Sequence, residues 1–312
     1  MIDTKFSYIN YLTAKKSVDD KALNKTVFYE LKEKLSAQYA ENTLLITEFG
    51  SGIGTMIERL IDWGLFNNCV YTCIEKNSDF IMQTAARLHD YADANEFQVS
   101  AENGQSDWKY LRLKKKGTDI RIHLITENLF HIHPDRYEIP PQDLIIAHTF
   151  LDIFHLPTVL NHMFSFLRND GLFYFTSNYD GVTHFLPHTL PEIDERMEEL
   201  YNKTMDMRAS EVKQQGGSRC GRKLFSEIVR AGGQILESGS SDWVIFPGES
   251  GYSPDEKYFV ECLVKTALSA ITELSDVAGQ DVEFWASRKL EQLNSNELIF
   301  QAHQLDFLGK KL

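Results

Sequence analysis

Apolar positions recur at helical spacing over the first forty residues and then change period. In "KTVFYELKEKLSAQYA" the residues Val27, Phe28, Leu31, Leu35 and Tyr39 fall on one face, which predicts an N-terminal helical cap up to about residue 42. The next segment, "TLLITEF", is short, apolar and β-rich, and it breaks at glycines before "TMIERLIDWGLF", where Met56, Ile57, Leu60 and Ile61 return to helical spacing. The alternation continues. Strands are predicted in "CVYTCIE" (69–75), "DIRIHLIT" (119–126), "DLIIAH" (143–148) and "GLFYFTSN" (171–178), with helices in "DFIMQTAARLHDYA" and "LPTVLNHMFSFL". Strands separated by helices imply a parallel sheet with right-handed crossovers and helices on both faces, a doubly wound α/β fold.

Beyond residue 180 the apolar density drops through "PEIDERMEELYNKTMDMRASEVKQQGGSRCG", which suggests an insertion able to act as a lid ahead of the helix "RKLFSEIVRAGG". "QILESGSSDWVIFP" reads as two short strands around a Gly-Ser turn. From Pro254 onward the pattern reads as helical to the end, with Leu298, Ala302, Leu305 and Leu308 at helical spacing. The expected division is therefore a cap at 1–42, a nucleotide-type core at 43–180, a lid or substrate insertion at 181–220, the remainder of the core sheet at 221–260 and C-terminal helices at 261–312.

Composition narrows the class. The chain has 312 residues, 43% of them hydrophobic, and a formal net charge of −13. Such acidity argues against a nucleic-acid partner, because binding phosphates requires basic surface that displaces counterions; the basic run "RLKKKG" (112–117) reads as a solvated turn. No apolar stretch is long enough to span a bilayer and no secretory leader is readable at the start, so no membrane association is expected and the expected location is the cytoplasm. The four cysteines lack a CxxC pair; Cys69 and Cys73 read as core thiols on one face of a strand.

Chemistry concentrates in "ITEFGSGIGT" (46–55). Alternate glycines after a first strand usually cradle a nucleotide, with pyrophosphate on the N-terminus of the following helix. Here the glycines are Gly50, Gly52 and Gly54, Thr55 stands where a dinucleotide site needs glycine, and Glu48 would repel a phosphate. S-adenosylmethionine lacks phosphate and carries a sulfonium and an ammonium, so an acidic residue helps. The alternative is a tight strand-to-helix turn without ligand. Glu75 ends the next strand, where a carboxylate can accept both ribose hydroxyls. In "ITENLFHI" the strand runs out into Glu127, Asn128 and Leu129, polar atoms and an apolar side chain suited to an adenine edge and face. "DLIIAHTFLDIFHLP" ends its strand near Ala147 and His148, at the carboxyl edge where open parallel sheets bind ligands.

Through "ITEFGSGIG", "CIEKN", "ITENLF", "DLIIAHTFLDIFHLP" and "LRNDGLFYFTSN", residues 43 to 180 resemble the class I S-adenosylmethionine-dependent methyltransferases, bacterial small-molecule type. The resemblance implies a Rossmann-like, seven-stranded, mostly parallel sheet whose last strand is antiparallel, supplied by "SGSSDWVIFP". It implies Glu48, Gly50, Ser51, Gly52 and Gly54 around the methionine end, Glu75 at the ribose, Glu127, Asn128 and Leu129 near adenine, and Ala147 and His148 beside the amino group. The activity implied is methyl transfer to an oxygen or nitrogen of a small molecule, leaving S-adenosylhomocysteine. The alternatives are a cyclase or lyase that releases methylthioadenosine from the same cofactor, and a cofactor-binding protein without turnover. No Asn-Pro-Pro-Tyr-like stretch follows "DLIIAH", which counts against an exocyclic base amine or a glutamine amide as acceptor. Candidates near the carboxyl edge are His148, Asp152 and His155 after the fourth strand and Asn178, Tyr179 and Asp180 after the fifth, with His148, Asp152, His155 and Tyr179 taken as the candidate catalytic residues, while His184 and His188 open the expected lid. "HIH" (131–133) lacks a third ligand in view, and no metal is expected. The cap aromatics Phe6, Tyr8, Tyr11, Phe28 and Tyr29 either cover the site or only pack the cap.

Overall fold

A computed structural model of the chain describes residues 2–39, 42–103, 109–135, 137, 139–208, 216–274 and 279–312. The first apolar strand signal forms β1 (Leu44–Phe49), and the later ones form β2 (Asn68–Glu75), β5 (Thr118–Thr126), β6 (Gln142–His148) and β7 (Leu167–Leu186). These five pair in parallel in the order β5-β2-β1-β6-β7. Their interior residues are buried on both faces, as parallel strands covered by helices must be. From β1 the chain winds first toward β5, then returns to place β6 on the other side. The reversal opens a crevice at the carboxyl ends of β1 and β6.

Helices α2 (Lys25–Tyr39), α3 (Thr55–Asp62) and α4 (Ser78–Ala94) cover one face. Val27, Phe28, Leu31 and Leu35 of α2 and Met56, Ile57 and Leu60 of α3 are buried there against Leu44, Ile46, Tyr71, Leu144 and Ile146. Each such side chain contributes about 1.5–3 kcal/mol by leaving water, set against the cost of ordering it. The other face is covered by α5 (Leu156–Phe164) and α7 (Cys220–Arg230), packed on Phe49, Ile74, Ile145, Phe173 and Phe175. A third core joins α1 (Tyr8–Ala22), α6 (Pro191–Arg208), α8 (Pro254–Thr272) and α9 (Gly279–Asn294) to the far end of β7. Cys69 and Cys73 are buried in the first core, both on one face of β2.

Among the described residues the sheet has ten strands instead of seven. A hairpin, β3 (Gln98–Asn103) and β4 (Lys109–Lys115), adds antiparallel strands beyond β5, in the order β3-β4-β5. The basic run read as a solvated turn lies largely in β4: Leu111 and Leu113 point into the core while lysines and Arg112 alternate outward, and only the end at Gly117 turns. The last antiparallel strand exists, but it comes from a different segment. It is β10 (Ile299–Lys311), inserted between β7 and β8 (Gly233–Ser240), with the short β9 (Trp243–Ile245) paired to its start.

The expected C-terminal helices are thus α8 and α9, and the terminal segment is a strand. Its inward face carries Phe300, Ala302, Gln304 and Asp306, so two buried polar residues break the alternation that would have revealed a strand. Pairing with β10 also prolongs β7 to Leu186, which places the start of the expected lid inside the sheet. The rest of that lid is α6 and the approach to α7; residues 209–215 lie outside the described residues. No helix among the described residues is long and apolar enough to cross a membrane.

Candidate functional site

At the carboxyl ends of β1, β2, β5 and β6 lies a cavity of about 600 Å³. Glu48, Gly50, Ser51, Gly52, Glu75, Glu127, Asn128, Leu129 and His148 line it, so the fold gathers segments up to a hundred residues apart in sequence around one space. The turn after β1 is fixed from below: the Gly50 and Ser51 amides donate to the Ile74 carbonyl at 2.8 and 3.3 Å, and Thr84 Oγ1 donates to the Gly52 carbonyl at 3.1 Å. The three glycines serve different ends. A Cβ on Gly50 would sit 2.2 Å from the Phe150 ring, and one on Gly54 2.6 Å from Thr84 Cγ2. A Cβ on Gly52 would meet only Leu12 Cδ1, at 3.8 Å, so of the three it is Gly52 that leaves open space at the cavity wall. Gly54 caps α3 in a left-handed conformation and does not line the cavity.

Glu75 spans the turn. Its Oε2 accepts from the Gly52 amide at 3.2 Å and its Oε1 from the Asn77 amide at 2.9 Å, which fixes the carboxylate at the cavity rim with lone pairs to spare. Glu48 is 2% exposed and accepts from Tyr71 Oη at 2.8 Å. Burial raises its pKa to about 8; the Glu75 charge adds to the rise, while Tyr71 and Arg59 oppose it. At neutral pH Glu48 is therefore mainly protonated. Glu127 accepts from the Asn128 amide at 2.7 Å, which holds its pKa below the usual carboxylate range. Asn128 Oδ1 caps a short 3-10 turn over Leu129–His131 by accepting from the Phe130 amide.

His148 is held from several sides. Its Nδ1 lies 2.8 Å from Thr176 Oγ1 and its Nε2 2.8 Å from Asp19 Oδ2. A carboxylate only accepts, so the hydrogen sits on Nε2 and Nδ1 accepts from Thr176. Burial and the Lys15 charge lower the His148 pKa to about 4, leaving the ring neutral. Asp19 also accepts from Lys15 Nζ at 2.6 Å and Trp243 Nε1 at 3.0 Å. Burial opposes ionisation of Asp19, but Lys15 and His148 together hold its pKa well below the usual range. Lys15 is 5% exposed and also donates to Thr149 Oγ1 at 3.0 Å.

Other expected positions fall elsewhere. The Ala147 side chain is buried in the core beneath the sheet. Asp152, His155 and Tyr179 do not line the cavity. The Asp152 carbonyl accepts from the Gly217 amide, His155 Nδ1 lies 2.6 Å from Thr158 Oγ1, and Tyr179 Oη bonds Thr183 and Asn202 beside the third core. His131 Nδ1 sits 3.2 Å from Glu127 Oε1, while the His133 ring meets the edge of His162. Of the cap aromatics, Tyr8 reaches the cavity and lies stacked 5.7 Å from Phe80, whereas Tyr11 stacks on Phe259 and Phe28 meets Trp63.

The sequence reading missed Lys15 and Asp19. A signal existed in the i,i+4 pairs Lys15–Asp19 and Lys16–Asp20, but such pairs usually mark a solvated helix face. Only packing against β9 and contact with His148 at the end of β6 buries one pair, while the other stays partly exposed.

No family model matches the chain, and no curated protein matches it. Many solved structures do. A protein of Bacillus halodurans solved as a candidate methyltransferase is similar over 91% of this chain and 99% of its own, with 8% identity and a TM-score of 0.46. A cyclopropane synthase from Mycobacterium tuberculosis is similar over 91% of this chain and 84% of its own, at 11% identity and a TM-score of 0.43. An S-adenosylmethionine-dependent methyltransferase from Thiobacillus denitrificans, in complex with S-adenosylhomocysteine, is similar over 91% of each chain, at 12% identity and a TM-score of 0.42. Likeness at this level leaves the chemistry to be argued from the site's own residues.

Proposed function

We propose that this chain is an S-adenosylmethionine-dependent methyltransferase acting on an oxygen or nitrogen of a small molecule. The observation that carries the reading is the charge around the glycine turn. Glu48 and Glu75 both line the cavity at the switch point of the sheet, where a dinucleotide would lay its pyrophosphate. The Glu75 carboxylate opposes a phosphate there, and Glu48, a carboxyl that burial keeps largely protonated at neutral pH, can give up its proton to a cationic group, so the pair suits a sulfonium nucleoside.

The residues fit such a group. Glu75, already fixed by two backbone amides, is placed to accept the ribose hydroxyls, and Gly52 leaves room for the methionine portion. Glu48 ionises to meet the ammonium. Leu129 offers an apolar surface and Glu127 and Asn128 polar atoms for adenine. When bound, the cofactor supplies an electrophilic methyl carbon on a positively charged sulfur. The chain's part is to align the acceptor with that carbon and exclude water, a task for Tyr8, Leu12, Phe150 and Phe154 on the remaining wall.

Calorimetric titration with S-adenosylmethionine, S-adenosylhomocysteine and NAD tests the reading. Binding of the first two and not of NAD is expected. Glu75→Ala should bind S-adenosylmethionine about tenfold to a hundredfold more weakly with unchanged circular dichroism, because charge-assisted hydrogen bonds are lost. Undiminished affinity would remove the ribose assignment, and binding of NAD alone would overturn the proposal.

A further inference from the structure

The wall formed by α1 and the segment after β6, which adjoins the glycine turn at Leu12 and Phe150, has its own chemistry. Helix α1 contributes Tyr8, Leu12 and Lys15, and the segment after β6 contributes Phe150, Ile153 and Phe154. At the inner end of this apolar wall sits the Lys15, Asp19 and His148 cluster, with Arg59 Nη2 3.8 Å behind Asp19 and the Trp243 ring 5.1 Å from Lys15 Nζ.

Count the hydrogen bonds in this cluster. Both nitrogens of His148 are committed, Nδ1 to Thr176 and Nε2 to Asp19. Both oxygens of Asp19 are committed, Oδ1 to Trp243 and Oδ2 to Lys15 and His148. His148 cannot take a proton from an acceptor without first breaking a buried bond, and Asp19, held well below the usual carboxylate range by Lys15 and His148 despite its burial, is a weak base. Lys15 differs. It has three N–H groups; one goes to Asp19 and one to Thr149, and its 3.2 Å approach to His148 Nε2 joins two donors that share one carboxylate. Among the described residues, the third N–H has no acceptor, and Lys15 lines the cavity. Asp152 adds a more distant negative charge to its surroundings, and Arg59 a positive one.

We propose that the methyl acceptor is a small, largely apolar acid whose oxygen is already ionised when it binds, a carboxylate or an acidic phenol, and that Lys15 holds that oxygen. The proposal rests on the methyltransferase reading above. The acceptor's oxygen supplies the electron pair of the new O–C bond, the pair of the breaking S–C bond returns to sulfur, and one negative and one positive charge disappear together. No proton has to move, which matches a wall whose histidine has both nitrogens bonded and whose aspartate is a weak base. An amine acceptor would have to shed a proton and would bring its cation toward Lys15.

The test uses the full chain saturated with S-adenosylhomocysteine and measures binding of four probes at neutral pH. Benzoate and 4-nitrophenolate are expected to bind about tenfold or more tightly than benzamide and 4-nitroanisole, a charge-assisted bond's worth of affinity. Lys15→Met should erase that preference while S-adenosylhomocysteine affinity stays within about twofold, and Lys15→Arg should keep it. Because Lys15 is buried, a second variant is placed on the exposed wall: Ile153→Asp should weaken both anions and leave the cofactor product bound as before. A preference that of the two anions favours benzoate names a carboxylic acid as acceptor, and one for 4-nitrophenolate a phenol.

The proposal is overturned if neutral probes bind as well as anions, or if the preference survives in Lys15→Met. It also falls if Lys15→Met loses S-adenosylhomocysteine, which would put Lys15 on the cofactor's carboxylate. Failure of the wild-type chain to bind S-adenosylhomocysteine at all would remove the methyltransferase reading itself, so the two failures are distinguishable.

Discussion

At Glu48, burial links stability and ligand binding to one proton. Its pKa in the fold is about 8 against an ordinary 4.5, so between those values the folded state holds a proton that the unfolded state has lost, and stability falls as pH rises. His148 works in the opposite sense lower down. Its pKa is about 4 in the fold and 6.5 ordinarily, so its contribution grows as pH rises to 6.5 and is lost as pH falls through 4. The two offset each other in the acidic range, leaving Glu48's fall visible between pH 6.5 and 8, at up to about 1.4 kcal/mol per pH unit. Urea unfolding across that window should show the slope in the wild type and a flat line in Glu48→Gln; equal slopes would mean that another group carries the proton. Under the proposed function, S-adenosylmethionine binding should also release a proton, read as a buffer-dependent binding enthalpy. A different residue-scale contact decides Gly50. Gly50→Ala should cost about 1–3 kcal/mol through the Phe150 ring, and in a Phe150→Ala background the added cost should shrink to the backbone strain at its φ of 68°.

Elements differ in how far their sequence declares them. The helix α3 was legible because Met56, Ile57 and Leu60 recur at helical spacing and face one core, although Glu58 and Arg59 between them are buried as well. The strand β10 was not, because its inward positions include Gln304 and Asp306, and spacing alone favoured a helix. Asp306 is paired through the backbone: Oδ1 accepts from the Ser177 amide at 2.7 Å and Oδ2 from the Asn24 amide at 2.9 Å, joining β10 to β7 and to the start of α2. Asp306→Ala should therefore destabilise the fold by about 1–3 kcal/mol per orphaned amide, measured by denaturant titration. An effect within error would show that water replaces the carboxylate. The same element makes a stronger prediction. Since β10 pairs with β7, β8 and β9, deleting residues 299–312 should abolish cooperative unfolding, whereas a docked terminal helix would leave a folded core detectable by circular dichroism and amide dispersion.

For the whole molecule, the arrangement of layers sets what the site can be. The parallel order β5-β2-β1-β6-β7 puts the ends of β1, β2, β5 and β6 on one edge, and the annex of α1, α6, α8 and α9 is held at the far end of β7 and β10. Through that annex α1 lines the cavity and delivers Lys15, so this wall depends on packing of Ala14 against Trp243 and Phe259, more than two hundred residues away in the chain. The sequence by itself determined the βα alternation, the glycine turn, and the carboxylates Glu48, Glu75 and Glu127, because each is a local pattern: a period, a break, or a charge at a strand end. Spacing could not decide between Asp152, His155, Tyr179 and His148 as cavity residues, since all four follow strand signals equally well. Tertiary structure chose His148 and turned both its nitrogens inward. It also decided the hairpin beyond β5, the strand β10 and the burial of Lys15 with Asp19. The hairpin pairs neighbouring segments, but β10 and the buried Lys15–Asp19 pair arise from contacts between segments distant in the chain, where pairing and burial outweigh the local preference of the residues involved.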